Sequence, residues 1–290
     1  MSRGFTVKAA APTKPAEEWD YEKIKEQMRG KNIVFCLPGR GCSYAFMKSF
    51  LQLCFDLAQN GMGFAVQQDY SSMVNFARCK VLGANVLRGK WQKPWDGNIK
   101  YDYQLWIDSD IVFNSESFWQ LCDLALKGDE TIELNAEYAE YTDEQLNELE
   151  DENEEVRRER VRRLNRSGNP IVSGWYLTED GRTTSTAHWL DEDDFKKNGG
   201  VMNHETIDSI TKRKKPFTVD YIGGGWMLIK NGVFENLPYP WWGPKLQVFP
   251  NGIQDFCGED VSFCLDAKEI GFKILVDPRV RVGHEKTRVI

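Results

Sequence analysis

Between residues 32 and 128, short apolar runs alternate with longer segments whose apolar residues recur every three to four positions. Asn32 to Leu37 and Gly63 to Gln68 read as strands, Tyr44 to Gln59 and Ser72 to Leu82 as helices, and a further strand run ends at Asp108. The first long helix carries Met47, Phe50, Leu51, Cys54, Phe55 and Ala58 at helical spacing and stops at Asn60-Gly61. Glu116 to Lys127 repeats the helical pattern and ends at Gly128. Strand and helix in alternation predict an α/β fold, with a mixed, mainly parallel central sheet flanked by helices.

The pattern changes at 129–170, where charge dominates and a thin apolar stripe (Leu146, Leu149, Val156, Leu164) is all that repeats. Thr142-x-x-Gln145 is a capping box, Glu154/Arg158 and Glu159/Arg163 are i,i+4 pairs in the favourable order, and Gly168 with Pro170 ends the segment. This reads as a helical insertion with a solvated charged face. Strands return at Ile171 to Leu177, Thr218 to Ile222 and Trp226 to Ile229. An aromatic, proline-rich loop (239–244), a helix from Glu259 to Ile270 closed by Gly271, and an extended end with Val280, Val282 and His284 on one face follow. Residues 1 to about 20 show no periodicity and read as a mobile tail.

Composition narrows the picture. With 41% hydrophobic and 12% aromatic residues in 290, the chain has enough apolar surface for a substantial core. No run has the length of a membrane span, and the first residues lack an apolar signal-peptide region, which predicts a cytoplasmic protein. Seven scattered cysteines without C-x-x-C spacing read as reduced core residues. Three histidines are too few for a histidine-rich zinc site, so a metal would sit mainly on oxygen. A net charge of −7 argues against polyanion binding by the whole surface, leaving two local basic runs, 157–166 and 212–215.

The candidate chemistry starts at Asp108-Ser109-Asp110, where two carboxylates interrupt an apolar run. Charges there need a cation, a hydrogen-bond cage or an open cleft. On an extended strand both carboxylates would point one way, offering hard oxygen ligands to a divalent cation; a turn or capping pair is the competing reading. Such a triplet arises about once or twice by chance in so acidic a chain, and Asp191-Glu192-Asp193 lacks the apolar flanks. Gly223 to Gly225 before Trp226 suits a close backbone approach to a sugar or diphosphate, or a tight bend. Trp241 and Trp242 read as an acceptor-stacking pair or as a rigid packed loop.

Taken in order, the strand-loop 34–40, Gln67-Gln68-Asp69, Asn75 to Arg78, Trp106 to Asp110, Gly223 to Lys230, Gly258-Glu259-Asp260 and Gly283 to Lys286 resemble the GT-A glycosyltransferases, similar to the family-2-like enzymes. The resemblance runs from Asn32 to Lys286. It implies a tail and lead-in helix over 1–30 and a single GT-A catalytic domain over 31–290. Within it fall a nucleotide-binding half (31–128), the insertion (129–170) and an acceptor-binding half (171–290). It also implies transfer of a sugar from a nucleotide-diphosphate sugar, UDP-sugar favoured, to the hydroxyl of a glycan or other acceptor, modified nucleic acid included. Asp108, Asp110 and His284 become ligands of Mn²⁺ or Mg²⁺, which stabilises the departing diphosphate. Asp260 becomes the base of an inverting reaction with Glu259 beside it. Pro38, Arg40, Asp69, Arg78, Asp108, Gly224, Gly225 and Trp226 become donor contacts. Helix N-terminal charge compensation competes for Glu259 and Asp260, and an ordinary surface histidine for His284.

Two rivals stay open. A sugar nucleotidyltransferase shares the α/β core, and Leu37 to Gly41 superficially mimics its first loop, without the following Pro and phosphate-binding Lys. A noncatalytic carbohydrate- or nucleic-acid-binding protein would use the same cleft, with 212–215 on phosphates.

Overall fold

The computed structural model describes residues 19–286 apart from 150, 152, 189–191, 249–251 and 253. Most of the expected tail and Asp191 of the acidic triplet lie outside the described residues. In chain order, α1 (Tyr21–Met28) leads into β1 (Asn32–Pro38), α2 (Tyr44–Gln59), β2 (Gly63–Asp69), α3 (Val74–Val81), β3 (Tyr103–Ile107), β4 (Ile111–Val112) and α4 (Ser115–Leu126). There follow α5 (Asp143–Glu148), α6 (Glu154–Ser167), β5 (Ile171–Trp175), β6 (Thr183–His188), α7 (Glu192–Lys197), β7 (Asn203–Thr206) and α8 (Ile207–Ile210). The last part holds β8 (Phe217–Thr218), β9 (Tyr221–Ile222), β10 (Trp226–Lys230), β11 (Lys245–Val248), β12 (Gln254–Cys257), α9 (Glu259–Glu269), β13 (Ile274–Arg281) and β14 (Gly283–His284).

The described residues build a seven-stranded mixed sheet in the order β2-β1-β3-β10-β5-β13-β8. Pairs β1–β2, β1–β3 and β5–β13 are parallel, whereas β10 runs against β3 and β5, and β8 against β13. Five strands therefore point one way, as the strand–helix alternation predicts. Helices lie on both faces. Ile33, Phe35, Leu105 and Val172 pack towards Phe46 and Leu53 of α2 and Phe118 and Leu121 of α4. Val34, Cys36, Trp106, Met227 and Ile229 share the opposite core with Phe263 and Cys264 of α9. β3 is buried along all five residues, which is why its sequence is apolar apart from Gln104, whose side-chain oxygen accepts from the Trp106 indole N–H.

Local signals place the helix ends. Ser43 accepts the Phe46 N–H at the start of α2, a cap of about 1 kcal/mol, and Thr142 with Gln145 forms the expected capping box. α9 stops where Gly271 turns to φ +103°, a conformation strained for any side chain.

Two expectations are corrected. Thr218 to Ile222 is not one strand: β8 pairs with β13 and β9 with β6, because the chain passes from the central sheet to a three-stranded one at Val219-Asp220. The segment 129–170 is not simply a solvated face. Val161 of α6 joins the main core, Leu164 packs against it, and Glu159 is fully buried, where it accepts from the Asn135 N–H, Arg162 and Arg163. Arg157 lies 4.3 Å over the Trp91 ring and Arg160 is buried against backbone carbonyls, so this basic run is largely spent inside the fold. Glu159→Ala is therefore expected to cost about 1–3 kcal/mol in denaturant unfolding, whereas Glu154→Ala, in the exposed pair with Arg158, should leave the unfolding midpoint unchanged.

Candidate active site

The residues with candidate chemistry gather where β1 and β3 end and β10 begins, the edge at which open α/β sheets bind ligands. The β3–β10 ladder finishes at Ile107↔Trp226, and the Asp108 N–H donates to the Gly225 carbonyl. There the chain turns, with the Ile111 N–H donating to the Asp108 carbonyl at 3.0 Å. The Asp pair thus lies on a turn between β3 and β4, not on an extended strand, and this corrects the same-side geometry. Asp108 turns to Arg78 and Asp110 to His284.

Strand β14 pairs with β4 and sets His284 opposite Ile111. His284 Nε2 lies 3.1 Å from Asp110 Oδ2, and Nδ1 lies 2.8 Å from the Leu177 carbonyl. A carbonyl only accepts, so Nδ1 carries a proton. A neutral His284 then aims its Nε2 lone pair at a carboxylate, two acceptors face to face, unless a proton or a metal cation lies between. A ligating imidazole commonly donates its other N–H to a backbone carbonyl in this way. Lys286 also donates to Asp110 Oδ2, at 3.0 Å. Burial opposes the charge on Asp110, yet hydrogen bonds from His284 and Lys286 bring its carboxyl down to about 2. The bond to Asp110 in turn raises His284, against burial.

The expected trio of metal ligands is only partly assembled. Among the described residues no three His, Cys, Asp or Glu side chains converge as a metal group. Asp108 is diverted by the Arg78 guanidinium, whose Nη2 donates to both its oxygens at 3.0 and 3.1 Å. Asp110 and His284 form a carboxylate–imidazole donor set that fits a divalent cation of the Mn²⁺ or Mg²⁺ kind.

Arg78 is the organising cation of the site. It is 2% exposed, donates through Nε to Glu259 (3.2 Å) and through Nη1 to the Gly224 carbonyl (3.1 Å), and stands 5.2 Å from the Trp242 ring. Burial works against its charge, but Asp108, Glu259 and Asp260 outweigh it and hold the guanidinium protonated. One side chain from α3 thereby joins the β3 turn, the glycine segment and the first turn of α9. Next to it, Asp260 is raised to about 6 by burial and by Glu259, while Arg78 and a 3.0 Å hydrogen bond from the Tyr221 hydroxyl pull the other way. The Val261 N–H donates to its other oxygen.

Gly223 to Gly225 make room for protein groups. A Cβ on Gly224 would sit 2.6 Å from the Arg78 guanidinium, and one on Gly223 or Gly225 would strike the Tyr176 hydroxyl at 2.4 or 2.8 Å. That hydroxyl accepts from the Gly225 N–H, and the Tyr176 ring packs edge-on to His284. Trp226 is corrected as a donor contact: its side chain is fully buried, 4.6 Å from Phe113. Trp241 and Trp242 are likewise core residues and offer no face to a sugar. Pro38, Gly39, Arg40 and Gln68 surround a cavity of about 110 Å³ that reaches Ser109 of the Asp turn. Arg40 is exposed over Tyr70, and Asp69 accepts from the Tyr70 N–H and faces Lys80 at 4.0 Å. Tyr176, Leu177 and Tyr221 carry no signal in the sequence; only Lys286, inside the Gly283 to Lys286 motif, had one.

No family model matches the sequence, and no curated protein matches it. Among solved structures, the chain is similar to "Crystal Structure of A197 from STIV" at 15% identity and TM-score 0.38, covering 90% of this chain and 96% of that one. It is also similar to "Crystal structure of GalNAc-T7 with UDP, GalNAc and Mn2+" at 12% identity and TM-score 0.44. That match covers 89% of this chain and 44% of the other, so the chain spans less than half of the GalNAc-T7 chain.

Proposed function

We propose that the chain is a metal-dependent glycosyltransferase of GT-A type. It would move a sugar from a nucleotide-diphosphate sugar, UDP-sugar by preference, to an acceptor hydroxyl with inversion. The observation that carries this reading is the pairing of Asp110 with His284 in a fixed tautomer, linked through Asp108 and the buried Arg78 to a second carboxylate group on α9. When bound by Asp110 and His284, a divalent cation supplies Lewis-acid stabilisation of the diphosphate leaving group. Pro38, Arg40 and Ser109, around their shared cavity, are the proposed donor-side contacts, with Asp69 beside them. Arg78, bonded to both Asp108 and Glu259, holds the two carboxylates in register across the site. Asp260 accepts the proton of the acceptor hydroxyl: a carboxylate raised to about 6 is ionised at neutral pH yet more basic than an ordinary aspartate. Tyr221 and the Val261 N–H fix its orientation, and each carboxylate oxygen keeps a further lone pair for the substrate.

The order of motifs along the chain and the five-of-seven parallel bias of the sheet both support the GT-A assignment. Among the described residues no helix is long and apolar enough to cross a membrane.

The test is a product assay over UDP-, GDP-, TDP- and CMP-sugars with Mn²⁺, Mg²⁺ or chelator. Free UDP from a UDP-sugar, abolished by chelator, is the expected result. Pyrophosphate release would mean nucleotidyl transfer instead, and donor binding without turnover on any acceptor would mean a binding protein.

A further inference from the structure

One edge of the central sheet is left unpaired among the described residues. Strand β2 ends the strand order, and among the described residues nothing pairs with its outer edge. The Gly63 N–H bonds to Lys31 and the Asp69 carbonyl accepts from Gly39 on the β1 side. By the two-residue period of a strand, Phe64, Val66 and Gln68 then direct their N–H and C=O groups outward. Phe64 and Val66 are in register with Ile33 and Phe35, so their side chains stand on the same sheet face as α2. Phe35 touches both Phe64, at 5.8 Å between ring centroids, and Phe50 of α2, at 4.9 Å. From Phe50 the apolar arc of α2 continues around the helix, out of the core, to Met47, Leu51, Tyr44 and Phe55.

These six outer side chains are large and open. Tyr44 is 89% and Phe55 67% exposed, and Met47, Leu51, Phe64 and Val66 lie between 42% and 48%. Taking an aromatic side chain at roughly 150–250 Å², they present about 600 Å² of apolar surface. That is at the upper limit of the largest patch on an ordinary monomer, about 300–600 Å². With the strand backbone and the polar rim added, it approaches the roughly 800 Å² per partner of a stable interface.

We infer that this face is the interface of a homodimer, in which β2 pairs antiparallel with β2 of a second copy across a two-fold axis and the two α2 helices close over the seam. A lipid surface or a docking helix would cover the side chains but leave the outward N–H and C=O groups of β2 unpaired, and a strand satisfies both. β2 is its own complement. Centred on Val66, the pairing sets Phe64 against the second copy's Gln68 and Asp69 against its Gly63, so no like charges face one another. An isologous contact of this kind closes the assembly at two copies and makes one sheet continuous through both.

Sedimentation or light scattering at micromolar concentration tests the oligomeric state, with twice the 33.5 kDa chain mass expected. Phe55→Glu and Val66→Lys, made separately and checked by circular dichroism, should each weaken the dimer at least about tenfold. Val66→Cys in a Cys42→Ser background tests the register, since Cα atoms of a hydrogen-bonded antiparallel pair lie about 5.5 Å apart, within disulfide reach. It should cross-link on oxidation. A wild-type chain that stays monomeric at high micromolar concentration overturns the inference, and its co-sedimentation with anionic vesicles would assign the face to lipid. A dimer indifferent to both charge variants, or one in which the Val66→Cys variant fails to cross-link, overturns it equally.

Discussion

Asp110→Asn is expected to lower metal-dependent kcat/KM by about a hundredfold or more, the scale of losing one charged stabiliser at a developing anion. The substitution keeps the shape of the side chain but removes its negative charge, and an amide is a poor ligand beside an imidazole. Two nitrogen groups converge on Asp110 Oδ2 in the structure, those of His284 and Lys286, so the change also leaves the His284 Nε2 site without its carboxylate. The side chain of Asp110 is 40% exposed, so little loss of fold stability should accompany the loss of turnover. Nucleoside-diphosphate release across a Mn²⁺ titration, beside a thermal melt, measures both. His284→Ala should shift the titration to higher metal concentration and leave some activity at saturation. If Asp110→Asn kept full chelator-sensitive turnover, the proposed metal pair would be lost and the cation would have to be held by other residues.

Asp260→Asn should cut kcat by about 10²–10⁴, the usual contribution of a positioned general base, with donor KM little changed. Its pH signature is specific. Burial and Glu259 raise the Asp260 carboxyl to about 6, and a base works only when ionised. The wild-type kcat/KM should therefore fall as pH drops through about 6 and level off above it. Tyr221 lowers that pKa through its hydrogen bond, so Tyr221→Phe should move the acid limb to higher pH while sparing the plateau. A profile without an acid limb near 6, or an Asn variant with undiminished kcat, would reassign the base and leave the metal pair untouched.

Much of the frame was legible in the chain. The largely apolar run of β3, the 3.6-residue repeat of α2, the capping box at Thr142 and the glycine stop at Gly271 all reflect interactions within a few residues of one another. Polar strands were less legible. β6 reads Thr-Thr-Ser-Thr-Ala-His, with no apolar alternation, yet Thr184, Ser185 and Thr186 are buried, and Thr184 and Thr186 join their hydroxyls at 2.9 Å. Glu159 shows the same limit, because its i,i+4 spacing to Arg163 announces an ion pair but not the burial that makes it matter.

The site divides along the same line. That Asp108 and Asp110 interrupt an apolar run, that three glycines precede Trp226, and that Glu259 and Asp260 open a helix are properties of the sequence alone, since each depends on immediate neighbours. Tertiary structure decided which of these charges meet. Arg78 reaches Asp108 across 30 positions and Glu259 across 181, and His284 reaches Asp110 across 174. Those encounters follow from the sheet order, with β10 inserted between β3 and β5, and from β14 pairing with β4. Periodicity records which way a side chain faces, whereas the identity of its partner is set by packing between segments that are remote along the chain.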